Sequence, residues 1–220
     1  MHKRIGQLNC LTRPGSSDGF HVVLLHGFGA DAQDLAPLSQ VLDPEESWNF
    51  TFPEAPLEVP IGPMWTGRGW FPISLRELEA GVDFTKIRPP GLDLSRKLLQ
   101  ELVFELNPTR LVVGGFSQGA MVATDYAMEN PDDWQGLIIY SGVLLDQPGW
   151  STKAKALKGK KILQSHGSSD AVLPISAADQ LSKLLRGAGT EHQFIQFGGG
   201  HEIPMPVLQK TREFLSAIVE

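Results

Sequence analysis

The segment at residues 114–119 has the sequence Gly-Gly-Phe-Ser-Gln-Gly and lies between a short apolar run and a helical pattern. In a G-x-S-x-G pattern at this position, the chain turns sharply from a strand into a helix and lifts the serine hydroxyl clear of the sheet. Side chains at Gly115 and Gly119 would not fit inside such a turn. The segment therefore predicts a nucleophilic Ser117 at the carboxyl end of a strand.

The rest of the chain alternates between short apolar runs and helical patterns, which is typical of a parallel sheet with helices on both faces. We expect strands at 20–25, 48–52, 111–116, 136–140, 160–165 and 192–197, with an antiparallel edge strand near 5–11. Leucines at helical spacing predict helices over 92–106 and 175–185, and a last helix from Met205 to the end. With 41% hydrophobic residues among 220, the chain is expected to form a single domain over 1–220.

Charge and cysteine content exclude several classes of protein. The net charge is −6 without a basic stripe, so we expect neither nucleic acid nor an anionic membrane surface as a partner. Cys10 is the single cysteine, which fits a reducing compartment. The opening residues lack an apolar secretory core, and no stretch approaches the roughly 20 apolar residues of a membrane span. We therefore expect a cytoplasmic protein.

Residues 53–91 interrupt the periodicity with seven prolines and two tryptophans. A long connection of this kind with several aromatic residues favours a lid or a pocket wall. The expected pocket residues are Met64, Trp65, Trp70, Phe71 and Leu75 from this segment, with Val172 from a later loop. The alternative is a loop that packs a satellite cluster, in which Trp70 is only a packing residue.

A serine hydroxyl needs a base that takes its proton and a group that orients the base. In hydrolases with a serine on this kind of turn, the acid and then the histidine follow the serine in the chain. Asp170 follows the strand 160–165, and His201 follows the strand 192–197 through three glycines. These positions predict that Ser117, Asp170 and His201 act together.

Each of these residues also has a plain structural interpretation. Asp170 could cap a turn or a helix, and His201 could be a surface histidine. Asp146 is the other acid after Ser117 that could orient the histidine. The chain order of three elements at the ends of strands favours Asp170 with His201.

Hydrolysis through a serine also needs N–H donors for the developing oxyanion. The strand 20–25 runs into His26-Gly27-Phe28-Gly29, whose glycines let the backbone turn its N–H groups toward Ser117. The N–H of Gln118, directly after the serine, is the second expected donor. For His26 we favour a structural role, in which hydrogen bonds fix the turn, over proton transfer.

Together these motifs resemble a known family. They are His26-Gly27-Phe28-Gly29, Gly114-Gly115-Phe116-Ser117-Gln118-Gly119, His166-Gly167-Ser168-Ser169-Asp170 with Pro174, and Gly200-His201-Glu202-Ile203. From about Phe20 to the C-terminus the chain is similar to the phospholipase/carboxylesterase family, which includes acyl-protein thioesterases and small carboxylesterases. The resemblance implies the α/β-hydrolase fold, a triad of Ser117, Asp170 and His201, and an oxyanion hole from the backbone of Phe28 and Gln118.

The resemblance also implies hydrolysis of carboxylic esters or thioesters without a cofactor. We expect no metal, because no His, Cys or Asp cluster has ligand spacing. The expected partner is a small-molecule ester or an acylated substrate, and a homodimer is left open. An acyltransferase with the same triad and a non-catalytic binding protein are the alternatives. Pro72 stands where the family often has an aspartate, in the segment that sets acyl specificity, so the natural substrate does not follow from the resemblance.

Overall fold

The protein is described by a computed structural model that covers residues 1–16, 19–73 and 83–219. The strands are β1 (His2–Ile5), β2 (Leu8–Arg13), β3 (Phe20–Leu25), β4 (Asn49–Pro53), β5 (Leu57–Pro60), β6 (Thr66–Gly69), β7 (Arg110–Phe116), β8 (Gly136–Tyr140), β9 (Lys161–Gly167) and β10 (Glu191–Phe197). Eight of them form one sheet in the order β1-β2-β4-β3-β7-β8-β9-β10. Within this sheet, β4, β3, β7, β8, β9 and β10 run parallel to one another. Strand β2 pairs antiparallel with both β1 and β4.

The central strands β3, β7 and β8 are largely apolar because both faces of the sheet are covered. In β3, Val23 and Leu25 pack into one hydrophobic core, while Val22 and Leu24 pack into another on the opposite face. Alternation of side chains along a strand produces this division. An unbroken apolar run of this kind predicts a buried parallel strand, and the structure confirms it for β3.

Helices cover both faces of the sheet. They are α1 (Ala32–Leu35), α2 (Leu38–Leu42), α3 (Leu92–Leu106), α4 (Gln118–Glu129), α5 (Gln147–Lys153), α6 (Ile175–Gly187) and α7 (Met205–Val219), with 3₁₀ turns at Phe84–Lys86 and Ala154–Leu157. Residues of α3, α4 and α6 pack into one core, and residues of α1, α2 and α7 into the other. This is the predicted α/β-hydrolase fold. Within the described ranges, no helix is both long and apolar enough to cross a membrane.

Two expectations for the irregular parts of the chain need correction. The edge near 5–11 is a hairpin of β1 and β2 rather than one strand, because Gly6 adopts a φ of 57° and reverses the chain. The segment 53–91 is not wholly irregular, since β5 and β6 pair as an antiparallel hairpin within it. Each of these strands has only four residues, too few for a clear alternation in the sequence.

Two partly buried histidines should make stability depend on pH. His21 Nε2 lies 2.9 Å from Thr51 Oγ1, and His192 Nε2 lies 3.0 Å from Gln164 Oε1. Burial lowers the pKa of each histidine to about 4. Between that value and the ordinary histidine pKa of about 6.5, the unfolded chain binds more protons than the folded chain. The free energy of unfolding should therefore fall as the pH drops through this window, by up to about 1.4 kcal/mol per pH unit for each histidine.

Urea unfolding at several pH values between 4 and 7 measures this slope. His21→Gln and His192→Gln should each reduce it, because each removes one group that must be neutral in the folded state. The control is His2→Gln, at an exposed position of β1, which should leave the slope unchanged. An equal slope in the wild type and all three variants would contradict the lowered pKa values of His21 and His192.

Candidate active site

Ser117 occupies a strained turn between β7 and α4. Its φ of 54° and ψ of −118° are uncommon for a residue with a side chain. Two backbone hydrogen bonds hold it there: its N–H donates to the Tyr140 carbonyl at 2.8 Å, and its carbonyl accepts from the Met121 N–H at 3.2 Å. The surrounding backbone thus imposes the sharp turn that the sequence predicts.

The glycines beside Ser117 are required by the approach of β3. A Cβ atom on Gly119 would lie 2.2 Å from the Leu25 carbonyl oxygen, and one on Gly115 would lie 2.6 Å from the same atom. Both clashes involve backbone that pairs within the sheet, so a side chain cannot simply move aside. Strand β3 and the start of α4 therefore touch at a distance that only glycine permits.

Asp170 and His201 are joined by a short hydrogen bond, with His201 Nδ1 2.7 Å from Asp170 Oδ2. The N–H groups of Val172 and Leu173 donate to the other carboxylate oxygen at 2.8 and 2.9 Å. Burial alone would raise the pKa of Asp170, but these hydrogen bonds outweigh it and hold the pKa below its usual value. The buried carboxyl group is therefore ionised at neutral pH.

The loops after β9 and β10 are joined by backbone hydrogen bonds. Ser168 donates to the Phe197 carbonyl and Ser169 to the Gly199 carbonyl, each at 2.9 Å. A Cβ atom on Gly167 would lie 2.1 Å from the Gly200 carbonyl oxygen. Gly167 thus allows the contact that brings Asp170 and His201 together. Gly167 belongs to the H-G-x-x-D motif, but nothing in its local sequence indicates this contact with the loop after β10.

His201 lies beside the Ser117 turn. Its ring packs against the ring of Phe116, the residue before the serine, with 4.7 Å between the ring centroids. The His201 side chain is 17% exposed, whereas that of Asp170 is fully buried. The carboxyl ends of β7, β9 and β10 thus bring together the three residues that the sequence proposes as a triad.

Asp146, the other candidate acid, is engaged elsewhere. Its carboxylate accepts from Arg88 Nη1 at 3.2 Å and from the N–H of Gly149 in α5 at 3.3 Å. Arg88 also pairs with the buried Asp125, so Asp146 belongs to an ion-pair cluster. A different residue approaches Asp170: His166 Nε2 lies 3.3 Å from Asp170 Oδ2, a contact that the sequence analysis missed.

The two expected oxyanion donors come from the loop after β3 and from the start of α4. Gly27 is close enough to Ser117 that a Cβ atom on it would lie 3.5 Å from the serine Cβ. In the part of the chain that the structure describes, the next N–H group, that of Phe28, has no acceptor. The N–H of Gln118 is at the first position of α4 and lacks an intrahelical acceptor. Both N–H groups are therefore available to a ligand.

The expected pocket residues do not form one surface. Met64 and Trp65 lie at the tip of the β5–β6 hairpin and are 91% and 73% exposed. Val172 lines a cavity of about 240 Å³ together with Phe84 and Val143. Leu75 lies outside the described residues. Of the expected residues that the structure describes, Val172 is the one that lines this cavity.

Trp70 and Phe71 are core residues, each 1% exposed. The Gln118 side chain accepts from the Trp70 N–H at 2.8 Å and donates to the Phe71 carbonyl at 2.7 Å. The Trp70 indole N–H donates to the His26 carbonyl at 2.9 Å. This burial and bonding favour the packing alternative for Trp70.

A family model described as Phospholipase/Carboxylesterase matches residues 12–219. The chain belongs to this family. It is 28% identical over 209 residues to acyl-protein thioesterase 1 of Eremothecium gossypii, covering 89% of this chain and 86% of that protein. It is 30% identical over 167 residues to acyl-protein thioesterase 1 of Saccharomyces cerevisiae, covering 70% and 71%.

Solved structures agree with this membership. The crystal structure of esterase PE8 matches with a TM-score of 0.83 and 27% identity, covering 96% of this chain and 99% of that one. The carboxylesterase of Bacillus cereus matches with a TM-score of 0.72 and 18% identity over 96% and 94%, a likeness that concerns the fold alone. As a member of the phospholipase/carboxylesterase family, the protein is a carboxylic ester hydrolase.

The glycine contact at the serine turn can be tested in this hydrolase by Gly119→Ala. The new methyl group would force β3 and α4 apart, since it would lie 2.2 Å from the Leu25 carbonyl oxygen. A displacement near 1 Å at a catalytic turn costs about 100-fold in kcat. Ester hydrolysis and a melting curve should therefore both show large losses.

Gly187→Ala is the matched control, because Gly187 ends α6 and a Cβ there meets nothing within 4 Å. It should leave kcat unchanged and raise stability by about 0.5–1 kcal/mol. Wild-type kcat in Gly119→Ala would show that the turn accommodates a side chain.

Proposed function

We propose that this protein hydrolyses carboxylic esters or thioesters through an acyl-enzyme on Ser117. The Ser117 oxygen attacks the substrate carbonyl carbon while His201 takes the hydroxyl proton. The C–O or C–S bond then breaks, and His201 returns the proton to the leaving alcohol or thiol. A water molecule, deprotonated by His201, then attacks the acyl carbon. The bond from this carbon to Ser117 Oγ breaks, His201 returns the proton to Oγ, and the carboxylic acid leaves.

One observation carries this proposal: the hydrogen bond of 2.7 Å between His201 and a buried, ionised Asp170, next to the strained Ser117 turn. Because Nδ1 of His201 donates to the carboxylate, Nε2 is the nitrogen left to accept the serine proton. Asp170 orients the ring and stabilises the imidazolium that forms. The N–H groups of Phe28 and Gln118 are the proposed donors to the oxyanion.

We further propose that the acyl group enters the cavity of about 240 Å³ whose lining includes Val172 and Leu173, the residues that donate to Asp170. Val172, Phe84 and Val143 give this cavity apolar walls. Phe84 comes from the end of the segment 53–91, which supports a pocket role for that part of it. The names of the relatives, acyl-protein thioesterase and esterase, support an acylated substrate.

The single, buried Cys10 supports action in the cytoplasm, because a reducing compartment keeps thiols free. A mass measurement in solution tests whether the protein forms a homodimer.

A fluorophosphonate should label Ser117 once per chain and stop ester hydrolysis, because the Ser117 turn lies beside the His201 ring, which can act as its base. Ser117→Ala should lose both labelling and turnover. Peptide mapping identifies the labelled residue. A label on Ser141, Ser165 or Ser168, or wild-type turnover in Ser117→Ala, would exclude the proposed nucleophile.

The choice between the two acids is tested by Asp170→Asn and Asp146→Asn. The first should lower kcat by about 10⁴-fold, since the imidazole then loses its orienting carboxylate. The second should leave kcat within a few fold and reduce stability, because it weakens the cluster around Arg88. Steady-state kinetics with unfolding curves measure both effects. The reverse order of kcat losses would identify Asp146 as the orienting acid.

Acyl-chain preference tests the cavity. Each methylene buried there should contribute at most about 0.8 kcal/mol, so kcat/KM should rise with acyl length until the cavity is full. Val172→Trp should fill the space and lower the octanoate-to-acetate ratio of kcat/KM by at least about tenfold. Val41→Trp, the same change at an exposed position of α2, should leave this ratio unchanged.

Trp70→Ala separates the pocket from the packing interpretation of that residue. Removal of a buried tryptophan should cost about 3–5 kcal/mol of stability and lower kcat/KM for acetate, butyrate and octanoate esters by a similar factor. A selective loss with octanoate at an unchanged melting temperature would instead place Trp70 in the acyl pocket.

A further inference from the structure

The His26 side chain is hydrogen-bonded to the peptide group that carries the proposed oxyanion donor. Its Nδ1 lies 2.7 Å from the Gly27 carbonyl oxygen. That oxygen and the N–H of Phe28 belong to the same peptide unit, which is planar and trans. The two groups point in opposite directions from a rigid plane. Whatever fixes the Gly27 carbonyl therefore fixes the direction of the Phe28 N–H.

The hydrogen bonds of the His26 ring define its protonation state. The backbone N–H of Ala55 lies 3.0 Å from His26 Nε2 and can only donate, so Nε2 accepts. Nδ1 then carries the single ring proton and donates it to the Gly27 carbonyl. Burial lowers the pKa of His26, which keeps this neutral form at the pH of catalysis. The ring is therefore neither a free base nor a proton donor to a substrate.

The backbone of His26 is held from a second side. Its carbonyl accepts from the Trp70 indole N–H at 2.9 Å, and the Trp70 main chain is bound by the Gln118 side chain. Gln118 also carries the other proposed oxyanion donor on its own N–H. A continuous set of hydrogen bonds thus runs from Gln118 through Trp70 and His26 to the Gly27–Phe28 peptide.

We propose that His26 is a positioning residue for the oxyanion hole: its ring aims the Phe28 N–H at the site where negative charge develops beside Ser117. The inference rests on the proposed acyl-enzyme function. Trp70 and the Gln118 side chain hold His26 and thereby fix the two donors relative to each other. A donor held in advance stabilises the transition state without reorganisation, which is the source of most oxyanion-hole catalysis.

Two substitutions of His26 separate this role from general packing. In His26→Asn the side-chain amide can donate from the position of Nδ1, but nothing accepts from Ala55. In His26→Gln the amide oxygen can accept at the position of Nε2, but the donor to the Gly27 carbonyl is lost. Each variant loses one hydrogen bond, so a purely structural role predicts equal effects on activity.

We expect His26→Gln to lower kcat on the order of 10- to 100-fold with KM unchanged, and His26→Asn to stay within about fivefold of wild type. Inhibition by a trifluoromethyl ketone, which forms a tetrahedral adduct with the serine, should weaken in His26→Gln by the same factor as kcat/KM. The control is His21→Gln, which removes a partly buried histidine from the other end of β3 and should leave kcat and inhibition unchanged.

If His26→Gln does not fold, Trp70→Phe tests the same set of hydrogen bonds, because this variant removes the donor to the His26 carbonyl and keeps an aromatic ring in the core. A melting curve measures the stability that the smaller ring costs. Trp70→Phe should lower kcat and weaken ketone binding in parallel. Equal kcat losses in the two His26 variants, or wild-type kcat and inhibition in His26→Gln or Trp70→Phe, would overturn the inference. Ser117→Ala separates failure of the positioning role from failure of the proposed function. If Ser117→Ala is inactive while the His26 and Trp70 variants match wild type, only the positioning role is wrong. If Ser117→Ala remains active, the proposed function fails.

Discussion

The contact between the end of β3 and the start of α4 is the constraint on which the site depends. The Leu25 carbonyl oxygen lies so close to Gly115 and Gly119 that a Cβ atom at either position would clash with it. Between these two glycines the chain passes from β7 into α4, and Ser117 adopts a positive φ. The strain of that residue is offset by the paired strands on either side and by the packing of α4. The backbone of the sheet thus fixes the conformation of the proposed nucleophile.

A second constraint is the buried charge of Asp170. An ionised carboxylate away from water needs several donors, and here the Val172 and Leu173 N–H groups serve with His201. The same loop contacts the β10 loop through Ser168 and Ser169. Because these contacts are made within the folded sheet, the imidazole is positioned before any substrate arrives. In the proposed mechanism, little reorganisation is then needed during the reaction.

Local sequence was informative where sterics or periodicity act over a few residues. The apolar runs predicted the central parallel strands β3, β7 and β8 within one residue, since strands buried on both faces need nearly continuous apolar side chains. They did not predict the hairpin of β5 and β6, whose four-residue strands are too short to show alternation. The burial of Trp70 was not readable either, because tryptophan suits a core and a pocket wall equally well.

The sequence by itself determined where the turn at Ser117 lies, because the G-x-S-x-G pattern between an apolar run and a helical pattern is a local signal. The contact with β3 that requires its glycines belongs to the tertiary structure. The sequence also determined the chain order of serine, acid and histidine, and through the motifs the family. Only the tertiary structure decided that Asp170 contacts His201, while Asp146 pairs with Arg88. Both acids stand in loops after strands and look alike locally. Their difference arises from which charged group the fold places against each of them, and that depends on contacts between residues far apart in the chain.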